Sequence, residues 1–134
     1  MIQLKRCGYF CTHIFFMTLS TQDKHNLAMN IVGESLQALG FEFLSVNSKL
    51  KKDPQFVALK EKQLHFIIVR TVAYPKNPDK YDARLMQTMK AHADKFEAKT
   101  YYAGVGLGSA EDYTKPIIKN KPFSYIYNGL QEIE

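Results

Sequence analysis

Between Ser20 and Leu39, apolar residues recur at Leu27, Ile31 and Leu39, with Ser35 on the same line and Ala28, Val32 and Leu36 beside them. That three-to-four spacing predicts an amphipathic helix. Ser20, Thr21 and Asp23 offer capping oxygens at its start, and Gly40 is the glycine that commonly follows a last helical turn. Past Gly40 the period shortens. "FEFLSV" alternates, with Phe41, Phe43 and Ser45 on one face of a short strand. "NSKLKKDP" is a polar, basic connection that closes on the turn signal Asp53-Pro54. "QFVALK" and "LHFIIVRTVAY" then flank the charged tip Glu61-Lys62-Gln63, which predicts a β-hairpin. Its second run is apolar at every position from Phe66 to Val69, as in a strand buried on both faces in the middle of a sheet.

"PKNPD" breaks the chain, and Asn77 as cap with Pro78 as first helical residue predicts a second helix over "DKYDARLMQTMKAHADKF". Tyr81, Leu85, Met89, His92 or Ala93, and Phe96 form its stripe, which reads as packing against the sheet. "KTYYAGVGL" is strand-like, with Gly104 and Gly106 alternating with Val105 and Leu107. Gly104, Gly106 and Gly108 lack the following helix and lysine of a phosphate loop, so a turn or crowding within a strand is their expected role. "GSAEDYTKP" is a loop, and "PFSYIYNGLQEI" a single last strand. The predicted order is helix, three strands, helix, strand and an extra C-terminal strand. A mixed sheet flanked by two helices, an α/β fold, is the economical way to cover these faces.

Composition narrows the picture modestly. A chain of 134 residues makes one domain with a real core. The charge of +5 permits nucleic acid as a partner without requiring it. Cys7 and Cys11 lie near His13, but no matching pair follows, and His25, His65 and His92 are scattered. A structural zinc site needs four ligands, so two free thiols in a reducing, cytoplasmic compartment are expected. The segment "MIQLKRCGYFCTHIFF" outlines a poor signal peptide that is too short to span a bilayer. Residues 1–16 are expected to be an extension with a mis-assigned start, Met17 being the true one. A packed extra strand is the second reading and secretion the third. The domain then covers residues 17–134, with no membrane contact expected.

The hairpin carries more specific information. Pro54-Gln55, "FVALKEKQLHFI" and Ile68-Val69-Arg70-Thr71 resemble the hairpin of the PD-(D/E)XK, or restriction-endonuclease-like, superfamily. Resolvase-like members show a similar rhythm, and the αβββαβ order is that superfamily's core. The resemblance spans Leu27 to Val105. It implies a nuclease scaffold in which two carboxylates hold divalent cations against a phosphodiester and a lysine helps activate water. Carried over position by position, the aspartate place holds Gln55, the glutamate place Ile68 and the lysine place Arg70. Isoleucine cannot bind Mg²⁺, glutamine offers only a neutral oxygen, and arginine stays protonated. Glu34 on the first helix is the one acid that still matches a position used by some resolvase-like members.

The expectation is therefore a non-catalytic binding or assembly module with a degenerate site and no cofactor. Lys49, Lys51, Lys52, Lys60, Lys62 and Arg70 are expected to line a basic edge that contacts nucleic acid. A protein partner and a homodimer through the C-terminal strand or the N-terminal extension are the other readings. The alternative function is a divergent metal-dependent nuclease whose relocated site uses Glu34, Asp53 and Glu61 to hold Mg²⁺. There is no serine-nucleophile or Cys/His catalytic pattern.

Overall fold

In the computed structural model, which describes residues 17–134, the first helix begins where its capping chemistry places it. Helix α1 spans Thr21–Ala38, and the Ser20 hydroxyl accepts from Asp23 N at 3.0 Å while the Asp23 carboxylate accepts from Ser20 N at 3.1 Å. This reciprocal pair satisfies two donors that a helix start leaves open. At the far end Gly40 takes φ +92, and the Gly40 and Phe41 amides donate to the Gln37 and Leu36 carbonyls. The left-handed glycine thus closes the last turn and launches the chain into the sheet. The buried face is His25, Ala28, Met29, Val32 and Leu36. Leu39, placed in the stripe by its spacing, is half exposed because it is the cap residue, where the chain already turns away. The expectations for residues 1–16, including Cys7, Cys11 and His13, lie outside the described residues.

Strands β1 (Glu42–Val46), β2 (Phe56–Lys60) and β3 (Gln63–Ala73) follow in antiparallel succession. Helix α2 (Ala83–Asp94) crosses to β4 (Lys99–Ser109), which pairs parallel to β3. Strands β5 (Phe123–Tyr127) and β6 (Gln131–Ile133) both run antiparallel to β4, one after the other along its second edge. The result is a mixed six-stranded α/β sheet flanked by two helices, an αβββαβ order with a C-terminal addition. One face packs Ile67, Val69, Val105 and Leu107 against Ala28, Val32 and Leu36 of α1. The other packs Ile68, Tyr102 and Ile133 against Met86 and Met89 of α2, with Phe66, Ala93 and Ala98 in a satellite cluster. Alternation between two covered faces is why all four residues from Phe66 to Val69 are buried.

Two predicted elements differ. The second helix starts at Ala83, capped by Asp82, whose carboxylate accepts from Arg84 N and Leu85 N, and not at Pro78. Asn77 instead turns the chain locally by accepting from Asp79 N at 3.0 Å. Pro78 lies flat on β4, and a Cβ at Gly104 would overlap its carbonyl and come within 2.8 Å of the Tyr102 ring. Gly104 is therefore the notch that lets this segment lie on the sheet, and a segment held there does not coil. The last strand is also split. Residues 128–130 leave the ladder around Gly129 at φ +96, and both flanks are tied to Asp79. Asn128 Nδ2 donates to Asp79 Oδ2 at 2.8 Å, and Gln131 Nε2 donates to the Asp79 carbonyl at 3.0 Å. Among the described residues no helix is long and apolar enough to cross a membrane.

Candidate functional site

The eleven residues of β3 outrun the five of β2, so β3 continues past the point where β2 begins. Val69 N would face an empty place in the ladder there. Gln55 fills it: its Oε1 accepts from Val69 N at 2.7 Å, and the side chain is fully buried. The other end of the same amide donates to Asp53 Oδ1 at 2.8 Å and to the Lys52 carbonyl at 3.3 Å. An aspartate at 55 could accept one bond but could not donate the other, and it would set a second carboxylate against Asp53.

Ile68 is fully buried with Met86, Met89 and Tyr102 beneath α2. Arg70, two residues further on the same face, reaches back to Asp53. Its Nη1 and Nη2 meet Asp53 Oδ1 and Oδ2 at 2.8 Å each, and Nη1 also donates to the Val69 carbonyl at 3.0 Å. This is a two-point guanidinium–carboxylate fork, 23% exposed on the arginine side and 10% on the aspartate side. Burial alone would raise the Asp53 pKa, but the bonds from Arg70 and Gln55 outweigh it and hold the carboxyl below its ordinary value. His25 lies behind the pair, 1% exposed, with no hydrogen-bond partner for Nε2 among the described residues. Burial, and secondarily the Arg70 charge, push its pKa down against an opposing pull from Asp53, which favours the neutral ring.

A pocket of about 470 Å³ opens beside the fork. Lys51 and Lys80 flank it, Tyr81 and Tyr102 form an aromatic wall with ring centroids 5.2 Å apart, and Leu85 and Met86 complete it. Neither lysine has an ion-pair partner among the described residues, while Asp82 is engaged in capping α2. The chemistry this arrangement offers is attraction for an anion. Both Asp53 oxygens already accept from a guanidinium, Ile68 fills the neighbouring strand position, and Asp82, the other acid lining the pocket, accepts through Oδ1 from two amides of α2.

The other predicted residues lie elsewhere. Glu34 is exposed on α1, beside a separate hollow walled by Phe43 and Phe56. Glu61 is in the hairpin turn, at the end of β2 remote from Asp53 and about 17 Å of strand away. Glu34, Asp53 and Glu61 are thus not brought together, and no group of three or more His, Cys, Asp or Glu among the described residues is arranged to hold a metal ion. The basic edge also divides. Lys51 lines the pocket beside Arg70 and Lys52 does not, whereas Lys60, over the Phe41 ring at 5.2 Å, and Lys62 sit at the hairpin tip. Lys80 and Tyr81 were not legible as site residues because the segment before α2 reads as helix, and Tyr102 was not because it reads only as a residue of a strand. His25 had a signal, since it stands three and four residues before Ala28 and Met29 on the helix period.

A family model described as "Domain of unknown function (DUF8840)" matches residues 22–133. The chain belongs to the DUF8840 family. The match runs from the first turn of α1 to the end of β6, so the Arg70–Asp53 fork, Gln55, Ile68 and the adjoining pocket all lie within the DUF8840 domain. No curated protein and no solved structure matches the chain.

Proposed function

We propose that this DUF8840 domain is a non-catalytic binding module on a restriction-endonuclease-like scaffold, and that it holds the phosphate backbone of a nucleic acid at the pocket beside Arg70. The observation that carries the reading is the Arg70–Asp53 fork, with both contacts at 2.8 Å. In a metal-dependent phosphodiesterase the acids at such a site are neutralised by cations. Here a guanidinium from the same sheet neutralises Asp53, and Ile68 replaces the second acid. Lys51, Lys80 and the unused donors of Arg70 then face the pocket, with Asp82 tied to the start of α2, and these cations attract phosphate oxygens without cleaving them. The αβββαβ order and the sequence rhythm of the hairpin support the choice of scaffold. Compartment is part of the same proposal: the two-thiol composition fits the cytoplasm.

The test is binding to labelled single- and double-stranded DNA and RNA across a salt series. Affinity is expected to fall log-linearly with salt, and replacing Lys51 and Lys80 together by Gln should flatten the slope by about 2. Binding that persists unchanged in that double variant, or no binding to any nucleic acid at low salt, would overturn the reading and leave a protein partner in its place.

A further inference from the structure

The chain is basic overall, yet one cavity carries the opposite character. It measures about 490 Å³ and lies where β3 and β4 end and β5 begins. Its walls are Tyr74, Tyr113 and Tyr125, its rim carries Glu111 and Asp112, and no lysine, arginine or histidine lines it. From these features we infer a binding site for an organic cation, an alkylammonium head group, held by tyrosine ring faces.

The aromatic walls carry the inference. Tyr74 and Tyr113 stand with ring centroids 4.9 Å apart and planes at 77°, two adjacent sides of a box. Tyr125 supplies a further side. Tyr113 and Tyr125 are 49% and 54% exposed, so much of each ring stays open to a ligand. Gly108 makes the approach possible: a Cβ there would lie 3.1 Å from the Tyr113 Cβ and 3.3 Å from that of Tyr74. The backbone of β4 is thus pared back where the two tyrosines close over it.

A ring face is the negative part of the aromatic quadrupole, and a cation against several faces is stabilised most when partly desolvated. Quaternary and tertiary alkylammonium groups fit best, since their low hydration makes removal from water cheap. The carboxylates add long-range attraction. Asp112 accepts from the Thr114 hydroxyl at 2.6 Å and from Thr114 N at 3.0 Å, which fixes it at the rim. Those two bonds also hold its pKa below the ordinary value, so its charge persists. The cavity lies away from Arg70 and shares no lining residue with the pocket there, so the two sites stand or fall separately.

The probes are choline chloride and its neutral isostere 3,3-dimethylbutanol, titrated into the full chain and followed by calorimetry and by the ring resonances of the tyrosines. A trimethyllysine amide distinguishes a peptide side chain from a free metabolite as the source of the head group. Choline or the amide should bind at least tenfold more tightly than the isostere. Tyr113→Ala and Tyr125→Ala should each lose tenfold or more, while Tyr113→Phe, which keeps the ring face, should stay within about threefold of wild type. Gly108→Ala, which wedges the rings apart, should weaken binding with the chain still folded by circular dichroism. Equal binding of cation and isostere, binding by neither, or indifference to loss of both rings would overturn the site.

Discussion

At Gln55 one side chain does three things: it completes a β-ladder, supports Asp53 and fills the place where the resemblance implies a metal-binding acid. Its identity was readable in the sequence, but its role was not, because the need for a ladder acceptor opposite Val69 N arises only when β3 outruns β2. Asp53 read as a turn residue before proline, and its contact with Arg70 across seventeen positions is invisible to local pattern. The pair has a measurable consequence. Asp53→Asn should lower unfolding free energy at neutral pH by about 2–3 kcal/mol in urea titrations, since it leaves a part-buried guanidinium without its charge partner. Because the folded-state pKa of Asp53 is depressed, that stability is present above the unfolded value near 4 and is lost as pH falls through the folded one. The wild type should accordingly show a steeper acid limb than Asp53→Asn. His25 behaves with the opposite chemistry and the same direction. Its folded pKa is lowered, so the unfolded chain takes up a proton first as pH drops below about 6.5. Urea midpoints should fall from pH 7 toward pH 5, and His25→Leu should reduce that slope. A slope unchanged by the substitution would show that His25 is not held neutral.

At the scale of elements, the strong periodic signals held. The first helix, the hairpin and the doubly buried strand over Phe66–Val69 follow from spacing and caps alone. Where two elements press on each other, local signals failed. Asn77-Pro78 has the chemistry of a helix start, but Pro78 is pinned over Gly104, so the helix waits for Asp82. Asp79 holds both flanks of the break between β5 and β6, and nothing in "YNGLQ" beyond its glycine announces that. Of the β4 glycines, Gly104 and Gly108 are crowded within the strand, by Pro78 and by Tyr113 and Tyr74, whereas Gly106 has room for a Cβ. Gly104→Ala should therefore lift the 75–82 segment from the sheet and cost on the order of 3 kcal/mol. Hydrogen exchange would report the change as lost protection around Asp79 and along β6. Full protection in that variant would mean the segment is not anchored by the notch.

For the molecule as a whole, the distribution of charge matters more than its total. The +5 net charge is not one continuous basic edge: lysines cluster at both ends of the hairpin, and the tyrosine-walled cavity carries acids. The α/β class and the αβββαβ order were legible because a sheet covered on two faces leaves its period in the sequence. The pocket was not, since it is assembled from a loop, a strand and the approach to a helix that are distant in the chain. The central claim is that Arg70 takes the part of a cation at Asp53, leaving a site that grips phosphate and does not cut it. The most direct measurement incubates the protein with end-labelled single- and double-stranded DNA and RNA in the presence of Mg²⁺ or Mn²⁺. The account predicts intact strands at every metal concentration. Metal-dependent cleavage that disappears in Asp53→Asn would contradict it.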